Sequence, residues 1–492
     1  MSMSAALLSL TLLLPALASL ACLALGPRAI LSVVRCAGLI LSLILAAAAS
    51  LVFLAGPLSG AGGWLTMDAL SAFHALVLAL VFGASSVYAG VYFRLELDSG
   101  RLSSGEARRF GSLWFGALAA MTMVLVCGNL GLMWVGMEAT TLITAFLICV
   151  HVRPLALEAM WKYLLVCSVG VAFAFVGTLL IGASAQKLNL SAYELLLWSR
   201  LMASAPQLDP AFMKLAFVFL LVGYGTKAGL APMHNWLPDA HSQAPAPVSA
   251  LFSGFMLNAG LYCIMRCLPL VDGAMGGSGW AGRLLAALGL VSIVVAAAFI
   301  AFQHDAKRLL AYHSVEHMGI IALGAGLGGL GVFAALWHTL NHALCKSLAF
   351  FAAGRLGQDY GTHDLRELAG SARKSPWWGG ALFASLLVLI GMAPFAVFMS
   401  ELQMLRAAAD ARAYWSLALF LAGTCIVFVG ASRHALEAAW GESSIEPLTP
   451  KVSLSSKTLI IGALAVLLAL GLWLPGPLRL ALEQAAAVVG GR

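Results

Sequence analysis

A polytopic, all-helical membrane fold is predicted by three features of this 492-residue chain. Of its residues 61% are hydrophobic and only 10% charged, apolar runs recur from end to end, and those runs are apolar on every face. A run of about 20 residues crosses roughly 30 Å of hydrocarbon as a helix. Backbone groups in a bilayer find no water, so helices and closed barrels are the structures that span it. Barrel strands alternate polar and apolar residues, and these runs do not.

Fourteen transmembrane helices are expected, near 5–25, 30–54, 65–93, 110–128, 131–150, 161–185, 212–232, 245–268, 283–302, 309–327, 330–354, 378–399, 413–431 and 457–474. The first run, "MSMSAALLSL", has no basic n-region and Cys22 follows no lipobox, so it reads as a membrane helix and not a signal peptide. The longest polar stretches, 94–109, 186–211, 355–377 and 432–457, read as loops.

Charge and cysteine content exclude other classes. The net charge of +7 is spread between helices and forms no nucleic-acid patch. With an outward N-terminus, seventeen of the Lys and Arg residues fall on the cytoplasmic side, Arg28, Arg94, Arg101 and Lys451 among them. Nine, including Arg266 and Arg492, fall outside, and Lys227 and Lys346 lie within the membrane. That asymmetry predicts both termini outside. The nine cysteines form no Cys-x-x-Cys pair and have no histidine at metal spacing, so no metal or cofactor of the chain's own is expected. Redox chemistry connected with it then belongs to another subunit.

"GLAPM" at 229–233 recurs as "GMAPF" at 391–395, each late in an apolar helix. Gly followed by Pro can break a helix at both places. Paired broken helices point to a transporter-like repeat with its ion site at mid-membrane; coincidental kinks are the alternative.

The ionisable groups inside the apolar runs carry the chemistry. Glu138 in "LMWVGMEATTLITAF" and Lys227 in "LLVGYGTKAGLAP" each cost about 2.5 to 3.5 kcal/mol to insert, so each is expected to face a partner or a hydrated cavity. A carboxylate near a desolvated lysine can switch it between holding and releasing a proton; a buried ion pair that only fixes packing is the other reading. His338, His342 and Lys346 recur every four residues and share one helical stripe, a ladder for protons or a packing network. Glu401 follows the second break, near the outer end of its helix, as an exit group or an interfacial carboxylate. Lys307 and Arg308 read as cytoplasmic anchors, with His313, Glu316 and His317 extending the polar path inward. His234, Asp239 and His241 look like metal ligands, but Pro238 separates them, and a hydrated loop mouth near Lys227 fits better.

Through "GTKAGLAPMHNWLPDAHSQAPAPVSALF", "KRLLAYHSVEHMGI" and "LNHALCKSLAFF" the chain resembles a family of antiporter-like, proton-translocating subunits. Respiratory complex I, Mrp-type cation/proton antiporters and group 4 membrane-bound nickel–iron hydrogenases share it, and the hydrogenase 4 branch is the most similar. The resemblance covers about residues 65–430. It implies two inverted five-helix repeats, 110–268 and 279–431, after an N-terminal three-helix segment at 1–109 and before a loop and C-terminal helix at 432–492. It also implies a bacterial or archaeal cytoplasmic membrane, other membrane subunits and a peripheral redox arm as partners, and an Mrp-type antiporter as the alternative assignment. Glu138, Lys227, His338, His342 and Glu401 match the family's titratable positions. Where complex I members carry a titratable lysine or histidine in the eighth helix, this sequence offers Asn258 or Ser253.

Overall fold

A computed structural model describes residues 3–188, 190–448 and 452–491; Lys451 and Arg492, counted in the charge asymmetry, lie outside the described residues. The long helices are α1 (Met3–Ala24), α2 (Pro27–Ala55), α3 (Ala69–Asp98), α4 (Ser104–Val126), α5 (Leu130–Ile148), α6 (Pro154–Ser184) and α7 (Pro210–Ala228). A short α8 (Leu237–Gln243) leads to α9 (Ala246–Ala274), then α10 (Trp280–Ile300), α11 (Ala306–Leu327) and α12 (Leu330–Tyr360). Further along come α13 (Pro376–Leu389), α14 (Ala396–Asp410), α15 (Tyr414–Trp440), α16 (Leu454–Leu472) and α17 (Gly476–Val489). A two-stranded hairpin pairs Leu58–Gly60 with Leu65–Met67.

Eleven of the described helices are long and apolar enough to cross a membrane. Their starts follow local chemistry: Asp68, Asn129, Asp209 and Asp305 cap α3, α5, α7 and α11 through side-chain oxygens on free backbone N–H groups. Ser103 and Glu106 form a capping box at α4, each side chain bonding the other's backbone N–H.

The most apolar 18-residue window of α9 is 100% buried, against 22% in α1, α15 and α16. The α9 helix is therefore the central post, and the leucine-rich outer helices present their apolar faces outward, as a chain solvated by lipid requires. Small residues allow close helix contact. A Cβ at Gly289 would stand 2.5 Å from Gly319 O, and one at Gly282 would stand 2.6 Å from Gly326 O, so α10 and α11 meet backbone to backbone two turns apart.

Three elements differ from the sequence expectation. The run at 378–399 is two helices, α13 and α14, divided at 390–395. The run at 212–232 stops at Ala228 because Gly229 takes a left-handed conformation (φ +73°) that caps it. An additional helix, α17, follows Pro475; its Ala481, Leu482, Ala485 and Val489 are buried at helical spacing, too short an apolar stripe to read as a span.

Candidate functional site

The two breaks are built alike. Gly229 and Gly391 are both left-handed (φ +73° and +72°). Leu230 N donates to Gly225 O at 2.9 Å and Met392 N to Leu387 O at 3.1 Å, then Met233 N to Leu230 O at 2.9 Å and Phe395 N to Met392 O at 3.1 Å. The same bonds at the same offsets turn a five-residue likeness into one structural device used twice. The first break is stitched by Trp236, whose indole N–H donates to Thr226 O at 2.9 Å, and by Ser292 Oγ, which accepts from Ala231 N at 2.9 Å. Carbonyls and amides freed by the break thus find partners within the protein.

Lys227 stands in the last turn of α7, 0% exposed, where its charge faces the negative end of the helix dipole. Its ammonium donates to Thr141 Oγ1 at 3.0 Å and to Tyr163 Oη at 2.6 Å, and lies 4.9 Å from the centre of the Tyr163 ring. Tyr163 Oη in turn lies 2.6 Å from Thr144 Oγ1. Glu138, three residues before Thr141 on α5, makes no ion pair with Lys227 among the described residues. Its Oε1 accepts from Ser168 Oγ at 3.0 Å, while its Oε2 is buried without a partner. The direct Glu138–Lys227 contact allowed by the sequence is therefore absent, because hydroxyls of α5 and α6 occupy the space around the ammonium.

On the other side of α9 lies the histidine group. His313 Nδ1 and Glu316 Oε2 are 2.9 Å apart, His317 Nδ1 and His338 Nε2 are 2.8 Å apart, and His338 Nδ1 is 2.9 Å from Ser400 Oγ. The His317 ring centre is 5.1 Å from that of His342. All of these groups are buried, and both ring nitrogens of His342, with Nε2 of His313 and His317, have no protein partner. Lys346 donates to the carbonyl of Leu310 and lies 5.6 Å from the Phe350 ring centre, whose other neighbour is the His241 ring at 4.9 Å. Glu401 does not stand near an outer helix end. Helix α14 runs on to Asp410, and a Cβ at Gly391 would stand 2.4 Å from Glu401 Oε2, so the carboxylate lies against the second break, at a glycine whose φ of +72° other residues rarely adopt. Ligand atoms of His317, His338 and Glu401 lie within 4.8 Å of one another, as do those of His313, Glu316 and His317. Either triad has the donor types for a cation, but the His–His and His–Glu hydrogen bonds already use several of those atoms on each other.

Between the two halves α9 contains a π turn, Phe252–Met256. Its Phe252 ring lies 6.1 Å from the Tyr163 ring centre, and Met256 Sδ lies 3.6 Å from Tyr163 Oη. Ser253, on the same turn, bonds Ser314 Oγ of α11 at 2.8 Å. Of the two candidates in the eighth helix, Ser253 reaches α11, while the Asn258 amide N–H turns back to Gly254 O at 2.9 Å and leaves its Oδ1 without a partner. Extra backbone width in a π turn, a feature frequent at functional sites, lets one short segment touch both halves.

The chain matches, over residues 127–427, the family described as NADH:quinone oxidoreductase/Mrp antiporter, TM. It belongs to that family. A hydrogenase-4 component F homolog of Methylacidiphilum infernorum is 38% identical over 348 residues, which cover 70% of this chain and 73% of that one. The fold of this family member overlays a chain of an archaeal membrane-bound sulfane sulfur reductase with a TM-score of 0.84, at 24% identity and covering 98% and 97% of the two chains. A chain of the Mrp complex of Dietzia sp. DQ12-45-1b gives 0.84 at 21% identity, covering 99% and 97%.

Another expectation for this family member is revised by its packing. Lys307 is no surface anchor: it is buried and donates to Ser242 O at 3.0 Å and to Ala244 O. Asp239 is held by Lys162 and by Arg308, the latter at 2.6 Å, which leaves it no free oxygen for a metal shared with His234 and His241. Tyr163, Thr141, Thr144, Ser168, Ser314 and Ser400 were missed by sequence reading. Thr141, three residues after Glu138, was the available signal, since a hydroxyl on a carboxylate's helical stripe can carry its hydrogen-bond path.

Proposed function

We propose that this chain is a proton-translocating membrane subunit of a multisubunit redox complex, of hydrogenase 4 type, in a bacterial or archaeal cytoplasmic membrane. The observation that carries the reading is Lys227: a buried ammonium at a helix break with hydroxyl partners and no carboxylate within ion-pair reach among the described residues. A lysine kept only for packing would be expected to be neutralised, because an unpaired buried charge costs several kcal/mol. Here its partners are groups that can both give and take a proton's hydrogen bond.

The division into 1–109, 110–268, 279–431 and 432–492, with two inverted repeats, accords with one equivalent break in each of the two middle segments. Arginine-rich loops support a cytoplasmic placement of the face bearing Arg94 and Arg101, with both termini outside. The path we assign begins at Glu138 and Ser168 and reaches Lys227. From there Tyr163 and Thr144 lead to the π turn, and Ser253–Ser314 leads to His313, Glu316 and Lys346. His317, His342, His338, Ser400 and Glu401 complete it.

When the Lys227 ammonium gives a proton to Tyr163 Oη, Tyr163 gives its own hydroxyl proton to Thr144 Oγ1 and Thr144 gives its own to a water at the π turn, so one proton moves onward and the neutral lysine is left accepting from the Tyr163 O–H. Asn258 Oδ1 is available to a bridging water beside the turn. Redox centres belong to the partners, other membrane subunits and a peripheral arm, since this chain's cysteines are scattered and unpaired. The assembled complex in vesicles tests the reading: Lys227→Ala should abolish acidification driven by electron transfer while the complex still assembles. Normal acidification would end the proposal.

A further inference from the structure

We infer that this chain carries a built site for an anionic phospholipid, away from the proton path, where α2, α3, α12 and α16 converge. A cavity of about 410 Å³ opens there, lined by Arg28, Arg35, Arg94 and Arg355 together with Asp98 and Trp378. Among the described residues Arg28, Arg35 and Arg94 make no ion pair. Arg355, buried in the wall, gives its Nε to Asp359 at 3.0 Å and keeps its terminal nitrogens for the cavity. Unneutralised guanidiniums gathered at one pocket repel each other, and an anion with fork-accepting oxygens relieves that repulsion. Three unpaired arginines against one unpaired carboxylate, Asp98, leave an excess of two positive charges, which suits a head with two phosphates better than one.

The occupant is identified by what lies beneath the arginines. A second, apolar crevice on α3, α12 and α16 is lined by Ala84, Leu348, Phe351, Leu459 and Ala463. Ala84 lies six residues inward of Gly90, Phe351 four inward of Arg355, and Leu459 three inward of Ser456. At about 1.5 Å per residue the crevice begins roughly 5 to 9 Å below the charged cavity on all three helices. Leu39, Ile40 and Leu43, 44%, 56% and 61% exposed, continue the apolar surface of α2 from one turn inward of Arg35. A charged mouth over an apolar slot fits an amphiphile with acyl chains, and basic pockets between transmembrane helices at a membrane face recognise phosphate head groups.

Native mass spectrometry of the purified full-length chain, offered equal amounts of tetraoleoyl cardiolipin and dioleoyl phosphatidylcholine, reads the site directly. Wild type should retain cardiolipin preferentially. The double variant Arg35→Gln/Arg94→Gln should bind it about 30-fold more weakly, about fivefold for each charge removed, with phosphatidylcholine unaffected. Arg35→Lys/Arg94→Lys should keep most of the preference, which separates lost charge from lost folding. Ala84→Trp, which fills the crevice and leaves every arginine in place, should also weaken cardiolipin. Displacement of cardiolipin by millimolar inorganic phosphate, with Ala84→Trp without effect, would make this a free-anion site and overturn the lipid assignment. Undiminished cardiolipin binding by the double Gln variant would overturn the site altogether.

Discussion

The Lys227 ammonium lies 2.6 Å from the phenolic oxygen of Tyr163, and that oxygen touches Thr144 on one side and Met256 of the central π turn on another. Tyr163 is therefore the atom through which the lysine of one half meets the segment leading to the other. Tyr163→Phe keeps the ring, its packing against Trp236 and the cation–π contact, and removes only the hydroxyl. A hydrogen bond to a charged group contributes about 1.5 to 3 kcal/mol, so proton movement should slow roughly 10- to 100-fold with assembly unchanged. Acidification rates in vesicles at matched complex content check this, and a wild-type rate would remove Tyr163 from the path.

Glu138 and Lys227 make no direct bond: Glu138 accepts from Ser168, and Lys227 donates to Thr141, three residues along α5 from Glu138. Glu138→Ala and Lys227→Ala should each abolish proton movement coupled to electron transfer, and the double variant should be little worse than either, because groups that act as one unit are not additive. Glu138 is also the more exposed of the two, so Glu138→Ala should assemble more readily than Lys227→Ala. Measuring assembled complex beside acidification separates the two effects; loss of assembly alone would favour a structural role.

Much of this was legible in the sequence, and the residues show why the remainder was not. Glu138, Lys227 and the histidines are conspicuous because charge inside an apolar run is costly, and the breaks are conspicuous because Gly and Pro disrupt helices. Hydroxyls are different: Thr141, Thr144 and Ser400 bond their own helix backbones and cost little in an apolar run, so nothing marks them until folding places Tyr163 and His338 beside them. Glu401 was placed at a helix end because its helix looked single; only the division at 390–395 brings its carboxylate to Gly391. Lys307 looked like an anchor by position alone, whereas carbonyls at 242 and 244 capture it.

Ser253 and Asn258 can be told apart by substitution. Ser253→Ala deletes the side-chain hydrogen bond from the π turn to Ser314 of α11, costs about 1 kcal/mol of stability, and should slow proton movement by about tenfold. Asn258→Lys introduces a titratable amine beside the free Oδ1 position and should change the pH dependence of proton uptake with assembly intact. Failure of the lysine variant to insert would place position 258 against packed helix, and an unaffected Ser253→Ala would move the link between halves elsewhere.

The proposed orientation rests on where the arginines cluster. Arg101, between α3 and α4, and Ser278, between α9 and α10, lie on loops assigned to opposite faces. A cysteine replacing Arg101, in a background lacking the exposed Cys36 and Cys425, should react with a membrane-impermeant maleimide only from the cytoplasmic side. One replacing Ser278 should react only from outside. The reverse pattern would invert the topology, and with it the direction assigned to the path.

The loop between α5 and α6 should make the chain's stability pH-dependent. His151 Nε2 meets Glu96 Oε2 at 2.9 Å, and its Nδ1 lies 3.5 Å from Glu106 Oε1 in the capping box of α4. The hydrogen bond that His151 donates to Glu96 raises the His151 pKa above its ordinary 6.5; burial opposes this, and the charges of both carboxylates reinforce it. The folded state therefore holds the proton more tightly than the unfolded chain does. The resulting stabilisation is complete below pH 6.5 and is lost as pH rises through the raised value. Thermal unfolding of the full chain in detergent, followed between about pH 6 and 8, should show a midpoint that falls with pH. His151→Gln, which keeps one hydrogen bond to Glu96 and cannot titrate, should flatten that slope and leave the high-pH midpoint nearly unchanged. An equally steep slope in His151→Gln would assign the pH dependence to other groups.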